Sequence, residues 1–280
     1  MSDQTRKEKK SGNKSPLSAQ ERKDVRDHHS LSSVSVYAVV HREGMEELNR
    51  PATSLWWSGV AAGLGISTSV IAEGILHKVF EGSPYQFAIE NLGYTVGFVL
   101  VILGRLQLFT ENTITAILPL LTHSSLKMLW STLRLWAIVF VANLCGTFLA
   151  ALLGYHIGTI PPEYVDGMAA ISHHYANLDV SQAFSYGITS GFLVAAIVWM
   201  IPSARSAAFL VIIMFTYLIA LGNFTHVIAG STELFLLGMR GEIGLAQTAA
   251  LLSCTLLGNI AGGTGLFALL AYGQVVRELE

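Results

Sequence analysis

The chain has 280 residues, of which 52% are hydrophobic and 13% charged, and its formal net charge is −2. Together with a mean hydropathy of +0.51, these values indicate a polytopic membrane protein and argue against a soluble globular domain.

The N-terminal segment differs in composition from the rest of the chain. Ten of the 17 Lys and Arg residues lie in the first 50 positions, together with eight acidic residues. Because such a segment cannot bury a core, residues 1–33 are predicted to form a disordered cytoplasmic tail. The tail lacks the apolar core of a signal peptide. Its acidic residues nearly cancel its basic ones, so nucleic acid is not an expected partner.

Residues 34–50 are predicted to form an amphipathic interfacial helix. Its apolar positions recur at helical spacing, and Arg42 and Glu43 lie off that face. Such a helix lies on the cytoplasmic membrane surface or against the base of the protein itself. Pro51 ends it.

Residues 51–275 are predicted to form an all-α membrane domain of six spans, followed by a cytoplasmic C-terminus at 276–280. A straight span needs roughly 20 residues. The predicted spans are 54–79, 89–121, 128–158, 181–201, 206–238 and 243–273. The second and fifth are long because polar residues interrupt each of them.

The two interruptions are the most informative feature of the chain. The first is Leu108-Phe109-Thr110-Glu111-Asn112, and the second runs from Gly222 and Asn223 to Glu233. Lipid cannot satisfy free backbone N–H and C=O groups, so such breaks persist only where protein or a water-filled path surrounds them. Three spans per half, with the middle one broken, predict two inverted repeats around a transport path. Thr110-Glu111 and Thr232-Glu233 are the faint sequence match between the halves.

The distribution of basic residues predicts the orientation. The ten in the first 50 positions and Lys127, Arg134, Arg205 and Arg277 would share one side, with Lys78 and Arg240 opposite. Both termini are therefore expected to be cytoplasmic. The connection 159–180 contains no Lys or Arg and suits the outer face.

Each break frees N–H donors at the start of the half-helix that follows it. Thr110 and Asn112 are predicted to cap a half-helix near Thr113. Gly230, Ser231 and Thr232 are predicted to do so near Leu234. Glu111 and Glu233 suit the positive end of a helix dipole, and direct contact of either with a solute is the alternative.

Two other ionisable residues lie within apolar segments. His226 could donate a hydrogen bond to a solute or pass a proton to a weak acid, or it could simply be packed against a carbonyl. Arg105 is expected to pair with Glu111, Glu73 or a carbonyl.

Cysteine and histidine usage predicts no cofactor and no metal. Cys145 and Cys254 are expected to be small buried hydrophobic residues without a disulfide. The pairs His28-His29 and His173-His174 lack further ligands at suitable spacing.

The residues at the breaks resemble the formate/nitrite transporter family. Leu108-Phe109-Thr110 and Asn223-Phe-Thr-His226 followed by Ile228-Ala229 carry the resemblance, and the strings LFTEN and NFTHVIAGSTE are similar to its YfdC-type branch. The resemblance covers residues 30–275 and all six spans in order.

That resemblance implies an aquaporin-like homopentamer in the inner membrane with one pore per protomer. It also implies small monovalent anions as solutes, such as formate, nitrite or hydrosulfide, often moved with a proton. Thr110 and His226 would face each other at the pore centre. Apolar constrictions would flank them, with Tyr94, Phe98, Leu108, Phe109, Val194 and Ile219 as candidates.

The chain also departs from the family pattern. The connection 159–180 has no lysine, and Gly191 and Gly230 stand where the family often has asparagine. These departures leave a neutral or ammonium-like solute open as an alternative to an anion. A non-conducting scaffold or sensor is a further alternative. A hydrolase based on His226 and Ser231 lacks an activating acid, so no enzymatic activity is expected.

Overall fold

The computed structural model describes residues 31–279, with Arg205 described by its backbone alone. The described part of the chain is all-helical. The tail predicted for residues 1–33 lies almost entirely outside the described residues.

The first helix, α1 (Ser33–Leu48), ends just before Pro51. Helix α2 (Ala52–Val79) then crosses the molecule. The region predicted as one broken span comprises α3 (Gln86–Gly93), α4 (Thr95–Leu103), α5 (Phe109–Thr115) and α6 (Ile117–Thr122). Residues 104–108, between α4 and α5, are not helical.

The rest of the described chain is helical as well. Helix α7 (Leu126–Tyr155) leads to α8 (Pro162–Ala176) and α9 (Val180–Met200). Helices α10 (Ala208–Leu221) and α11 (Val227–Met239) are separated by non-helical residues 222–226. Helix α12 (Leu245–Ile260), a π-helical segment (Ala261–Ala268) and α13 (Leu269–Val275) follow.

Apolar composition and length make five segments able to cross a membrane. They are Ala52–Val79, Gln86–Leu103, Leu126–Tyr155, Val180–Met200 and Leu245–Glu278, and the shorter apolar helices Ala208–Leu221 and Val227–Met239 lie between them. Many large apolar side chains on these helices are exposed, including Leu210, Leu257 and Leu270. In a multi-pass membrane protein such side chains contact lipid or a neighbouring subunit.

Helix α8 was not predicted, because its region was interpreted as a connection. Pro162 occupies its first turn, where a missing N–H costs nothing. Its buried residues include Val165, Met168, Ser172 and Tyr175, which follow the spacing of one helix face. That periodicity was the signal available in the sequence.

Small residues set the close approach of α2 to α7. A Cβ added to Gly63 would stand 2.2 Å from the backbone oxygen of Asn143 and 2.8 Å from Cα of Gly146. Both contacts are with backbone, which cannot move aside as a flexible side chain can. The glycines therefore fix the distance between these two helices.

Replacing Gly63 with alanine is expected to destabilise the protein by about 1–3 kcal/mol, the usual cost of overpacking a core. Gly273→Ala is the matched control, because nothing lies within 4 Å of an added Cβ in helix α13. The control should be neutral or stabilising by about 0.5–1 kcal/mol, because alanine favours the helix. Thermal unfolding of the detergent-solubilised protein measures both variants, and equal melting temperatures would contradict the packing role.

Candidate functional site

One side of α4, together with Tyr94 just before it, borders two cavities that are separated by a closed centre. Tyr94 lines a cavity of about 70 Å³, and Ile102 lines another of about 380 Å³. These residues are eight positions apart, or about 12 Å along a helix. Phe98 lies between them on the same face and is fully buried. The smaller cavity is called the outer cavity here and the larger one the inner cavity.

Thr110 and His226 meet at the closed centre. The Thr110 hydroxyl oxygen lies 2.7 Å from Nε2 of His226. Thr110 is fully buried and His226 almost so. The Phe98 ring stands edge-on to the imidazole, with the ring centroids 5.0 Å apart. The two breaks therefore bring their polar side chains into direct contact beside an aromatic barrier.

The hydrogen bonds of His226 define its tautomer. His226 is the N-cap of α11, and its Nδ1 accepts a hydrogen bond from the Ala229 N–H at 3.2 Å. A ring nitrogen that accepts carries no proton, so the single proton of the neutral imidazole lies on Nε2. Nε2–H then donates to the Thr110 oxygen, and the Thr110 hydroxyl hydrogen is left to point elsewhere. The centre thus offers a hydroxyl donor without a formal charge.

The half-helices begin earlier than predicted, and distant asparagines satisfy their first N–H groups. Asn143 Oδ1 accepts from the Phe109 N–H at 2.9 Å, and Asn259 Oδ1 accepts from the Val227 N–H at 2.9 Å. The predicted caps at Thr110, Asn112, Gly230, Ser231 and Thr232 are wrong, because all five residues lie inside helices α5 and α11.

Each asparagine also donates to two carbonyls. Asn143 Nδ2 lies 2.8 Å from the oxygens of both Gly59 and Gln107. Asn259 Nδ2 lies 2.9 Å from Gly187 O and 3.0 Å from Thr225 O. One side chain therefore ties each non-helical segment to its half-helix and to a neighbouring helix. Neither asparagine was predicted from the sequence to have this role.

The outer cavity is rich in carboxyl groups. Glu73 and Glu233 both line it, and neither makes a hydrogen bond or an ion pair with any of residues 31–279. Tyr94, Ile219, Asn223 and Gly230 also line it. Asn223 adopts a left-handed conformation with φ of 52°, which asparagine tolerates better than most residues.

The inner cavity is lined by Glu43, Glu46, Glu47 and Glu111, and by Arg50 and Arg105. Glu111 has one buried oxygen, Oε1, without a partner among the described residues. The prediction that Arg105 pairs with Glu111 or Glu73 is wrong. Its Nη2 lies 3.2 Å from Glu43 on α1, and its side chain is mostly exposed. Arg105 lies outside the apolar helix because α4 ends at Leu103 and Gly104 begins the non-helical segment.

Helix α1 is fastened to the first break through Glu47. One carboxylate oxygen accepts from Thr115 Oγ1 at 2.6 Å and from Asn112 Nδ2 at 3.0 Å. The other accepts from Gln107 Nε2 at 3.3 Å. Burial raises the pKa of this carboxyl, which outweighs the opposite effect of the hydrogen bonds from Thr115 and Gln107.

The docking of α1 is expected to weaken as pH rises. A carboxyl whose pKa is raised in the docked state favours docking when protonated, and this contribution is lost as pH rises through the raised pKa. Hydrogen exchange of Ser33–Leu48, corrected for intrinsic rates, should therefore accelerate with pH. Glu47→Gln should remove that dependence. Glu46→Gln is the control, because its side chain is exposed and pairs with Arg42. Identical profiles for both variants would contradict the role of Glu47.

The predicted constriction residues do not share one location. Phe98, Leu108, Val194 and Ile219 are fully buried. The Phe109 ring instead packs against Trp136 and Phe140, with centroids 5.7 and 5.2 Å away, and it lines neither cavity. Phe109 thus packs between α5 and α7, and its place at a constriction stays a prediction.

Ser231 and His226 do not form a catalytic pair. The Ser231 hydroxyl lies 2.7 Å from Thr147 Oγ1 and 2.6 Å from Ile228 O. No hydrogen bond joins it to His226 within the described chain, so the hydrolase alternative gains no support.

Cysteines and other histidines lie away from the centre. Cys145 is exposed on α7 rather than buried as expected, and Cys254 is half-buried. His173 pairs with Glu242 at 2.9 Å. Over residues 31–279, no three His, Cys, Asp or Glu residues are grouped as metal ligands would be. The pair His28-His29 lies outside the described residues.

Comparison with known proteins gives matches along most of the chain. The family model described as formate/nitrite transporter matches residues 34–273. The inner membrane protein YfdC of Escherichia coli is 38% identical over 249 residues, which cover 89% of this chain and 80% of that protein.

Two solved structures have a similar fold. An FNT family ion channel superposes with a TM-score of 0.73 at 20% identity, covering 86% of this chain and 98% of that one. A pentameric formate channel with formate bound gives a TM-score of 0.66 at 24% identity, covering 81% and 98% of the two chains.

Proposed function

The chain belongs to the formate/nitrite transporter family, and on this premise we propose that it passes a small monovalent solute, a weak-acid anion of the formate or nitrite type, through a pore in each subunit of a homopentamer. The observation that supports this proposal is the contact between Thr110 and His226 at the closed centre between two cavities.

Matching geometry at the two breaks supports an inverted repeat. Arg105 and Asn223 share a φ of 52°, and each lies four residues before its half-helix. Leu106 N–H bonds to Val101 O, and Phe224 N–H bonds to Ile219 O, both at 3.0 Å. Each residue of the first break thus corresponds to the residue 118 positions later in the second break. The same spacing makes Leu108 the counterpart of His226, so the faint match of Thr110-Glu111 to Thr232-Glu233 is not the structural one.

The solute crosses the centre as a neutral molecule. The Phe98 ring stands edge-on to the imidazole of His226, and both partners of the polar pair are buried. A bare ion in so apolar a passage would lose its hydration, whereas a protonated weak acid can exchange hydrogen bonds with Thr110. The neutral tautomer of His226 fits this role as a fixed donor to Thr110 rather than as the proton carrier.

The protein is placed in the inner membrane with both termini in the cytoplasm. The excess of basic residues before α2 supports this orientation. The inner cavity, which borders α1, then opens to the cytoplasm, and the outer cavity opens to the opposite side. Residues 34–50 lie at the cytoplasmic surface, and residues 276–280 form the C-terminus on the same side.

A weak base of the ammonium type is the second candidate solute. Carboxyl groups line both cavities, and within residues 31–279 no lysine lines either one, although Arg50 and Arg105 line the inner cavity. Carboxylates attract cations and repel anions when ionised.

Uptake by proteoliposomes that contain the purified protein tests the function. Labelled formate, nitrite and methylammonium are compared, with protein-free liposomes as the control. Formate or nitrite uptake above that control supports the proposal. Uptake of methylammonium alone contradicts the anionic solute. Absence of all three fluxes, in full-length and tail-deleted protein alike, favours the non-conducting scaffold.

A further inference from the structure

We propose that Glu73 and Glu233 share protons in the outer cavity and that Glu233 protonates the incoming weak-acid anion, an inference that rests on the proposed function. The two residues belong to α2 and α11 and line one cavity of about 70 Å³. The Glu233 carboxyl acts electrostatically on that of Glu73.

Among the described residues, no Lys or Arg lines the outer cavity to balance two carboxylates. The remaining ionisable side chains that line it are Tyr94, His174, Tyr175 and His226. His226 is held neutral by its N-cap bond. His174 is exposed, and Tyr175 is engaged with Thr255 at 2.6 Å. Glu90, which also acts on Glu73, is paired with His77 at 2.8 Å.

Two carboxyl groups that line one small cavity without a counter-ion repel each other when both are ionised, so the cavity favours a proton on one of them. The Tyr94 hydroxyl is a second polar group that faces this cavity. The side chain is 6% exposed, and its hydroxyl makes no hydrogen bond to any described residue. It can therefore donate to a carboxylate or to a bound solute.

An anion enters this cavity only when the pair is protonated. A like charge at 4 Å lowers occupancy by roughly a thousandfold in a protein environment of intermediate dielectric constant. A carboxylic acid group beside an anion, in contrast, is a hydrogen-bond donor that can transfer its proton. The acidic lining thus suits an anion that must acquire a proton before it crosses.

The step balances in protons and charge. The O–H bond of the Glu233 carboxyl breaks, a new bond to hydrogen forms on the anion, and Glu233 is left as a carboxylate. Hydrogen bonds from protonated Glu73 or from Tyr94 stabilise that carboxylate until a hydronium ion from the outer solution restores the proton.

The geometry of α11 provides the route onward. Glu233, Gly230 and His226 follow the spacing of one helix face, and all three line the cavity. Gly230 has no side chain, and a Cβ there would stand 2.4 Å from the Tyr175 ring. The Tyr175 ring thus packs directly on Gly230, and the face of α11 that carries Glu233, Gly230 and His226 leads from the outer cavity to the centre.

The test is formate uptake as a function of external pH by the wild type, Glu233→Gln and the control Glu163→Gln. Glu163 is an exposed carboxylate of α8 that lines neither cavity. Near neutral pH, Glu233→Gln should lower uptake by about 100-fold or more, because general acid catalysis typically contributes that much. At acidic pH, where the solution itself supplies formic acid, uptake should return towards the wild-type rate. The control should follow the wild type throughout.

A reduction by the same factor at every pH would assign Glu233 a structural role and overturn the proposal, as would unchanged uptake. Wild-type methylammonium uptake that Glu233→Gln abolishes would show a cation site and overturn it too. Absence of formate and nitrite uptake by the wild type contradicts the proposed function and this inference together. Formate uptake by the wild type that Glu233→Gln leaves unchanged contradicts only the inference.

Discussion

Replacing His226 with asparagine is expected to leave an assembled protein whose flux falls about 2- to 10-fold, as expected for one net hydrogen bond of about 0.5–1.5 kcal/mol. The asparagine carbonyl can accept from the Ala229 N–H as Nδ1 does, because asparagine is a favoured N-cap residue. Its amide is shorter than the imidazole and reaches Thr110 less well than Nε2 does, so the bond to Thr110 is the one that is lost. The pH dependence of flux should persist, because the imidazole stays neutral in this geometry.

His226→Phe is the contrasting variant and should lose most of the flux. The phenylalanine side chain offers no acceptor, so the buried Ala229 N–H loses its partner at a further cost of about 1–3 kcal/mol. It also removes the donor to Thr110. Flux across a pH series, normalised to assembled protein, measures both variants. A flattened pH profile in the asparagine variant would show that His226 itself titrates during transport.

The sequence pointed to the two interrupted regions because their polar residues stand out in apolar surroundings, but the bounds differ: the predicted interruptions are 108–112 and 222–233, and the non-helical residues are 104–108 and 222–226. His226 could be singled out for the same reason, whereas its pairing with Thr110 was implied by the family resemblance; the two side chains lie 2.7 Å apart. Helix α8 was missed because low hydropathy and flanking prolines are also typical of a loop.

The cap positions could not be predicted because the partners are remote in sequence. Asn143 and Asn259 lie 34 and 32 residues after the N–H groups that they satisfy. Each sits in a long apolar helix, where a single polar residue has many possible partners. Only the packing of α7 against α2, and of α12 against α9, selects one.

Glu47 illustrates the same difficulty for charges. In sequence it is one of three acidic residues on the polar side of an amphipathic helix. In the structure three polar side chains from residues 107–115 converge on it, and neighbouring Glu46 stays exposed. Periodicity assigns a residue to a face, but the partner on that face depends on the tertiary fold.

Asn259→Ala is expected to have the largest effect on stability. It removes three buried hydrogen bonds and leaves the Val227 N–H and the carbonyls of Gly187 and Thr225 without those partners. At about 1–3 kcal/mol for each unsatisfied group, the cost is about 3–9 kcal/mol. A typical domain is stable by only about 5–15 kcal/mol, so most of the assembled protein should be lost.

Two further variants test whether the loss of stability is specific to an asparagine at a break or would follow from the loss of any buried hydrogen bond. Thr264→Val removes one bond, from Oγ1 to Thr113 O at 2.6 Å, and should cost about 1–3 kcal/mol. Asn143→Ala removes the equivalent three bonds at the first break and should resemble Asn259→Ala. Assembled yield and melting temperature in detergent rank the three. If Asn259→Ala were no less stable than Thr264→Val, water or a relaxed backbone would satisfy the N–H and carbonyl groups at the second break. Asn259 would then not be what stabilises that break.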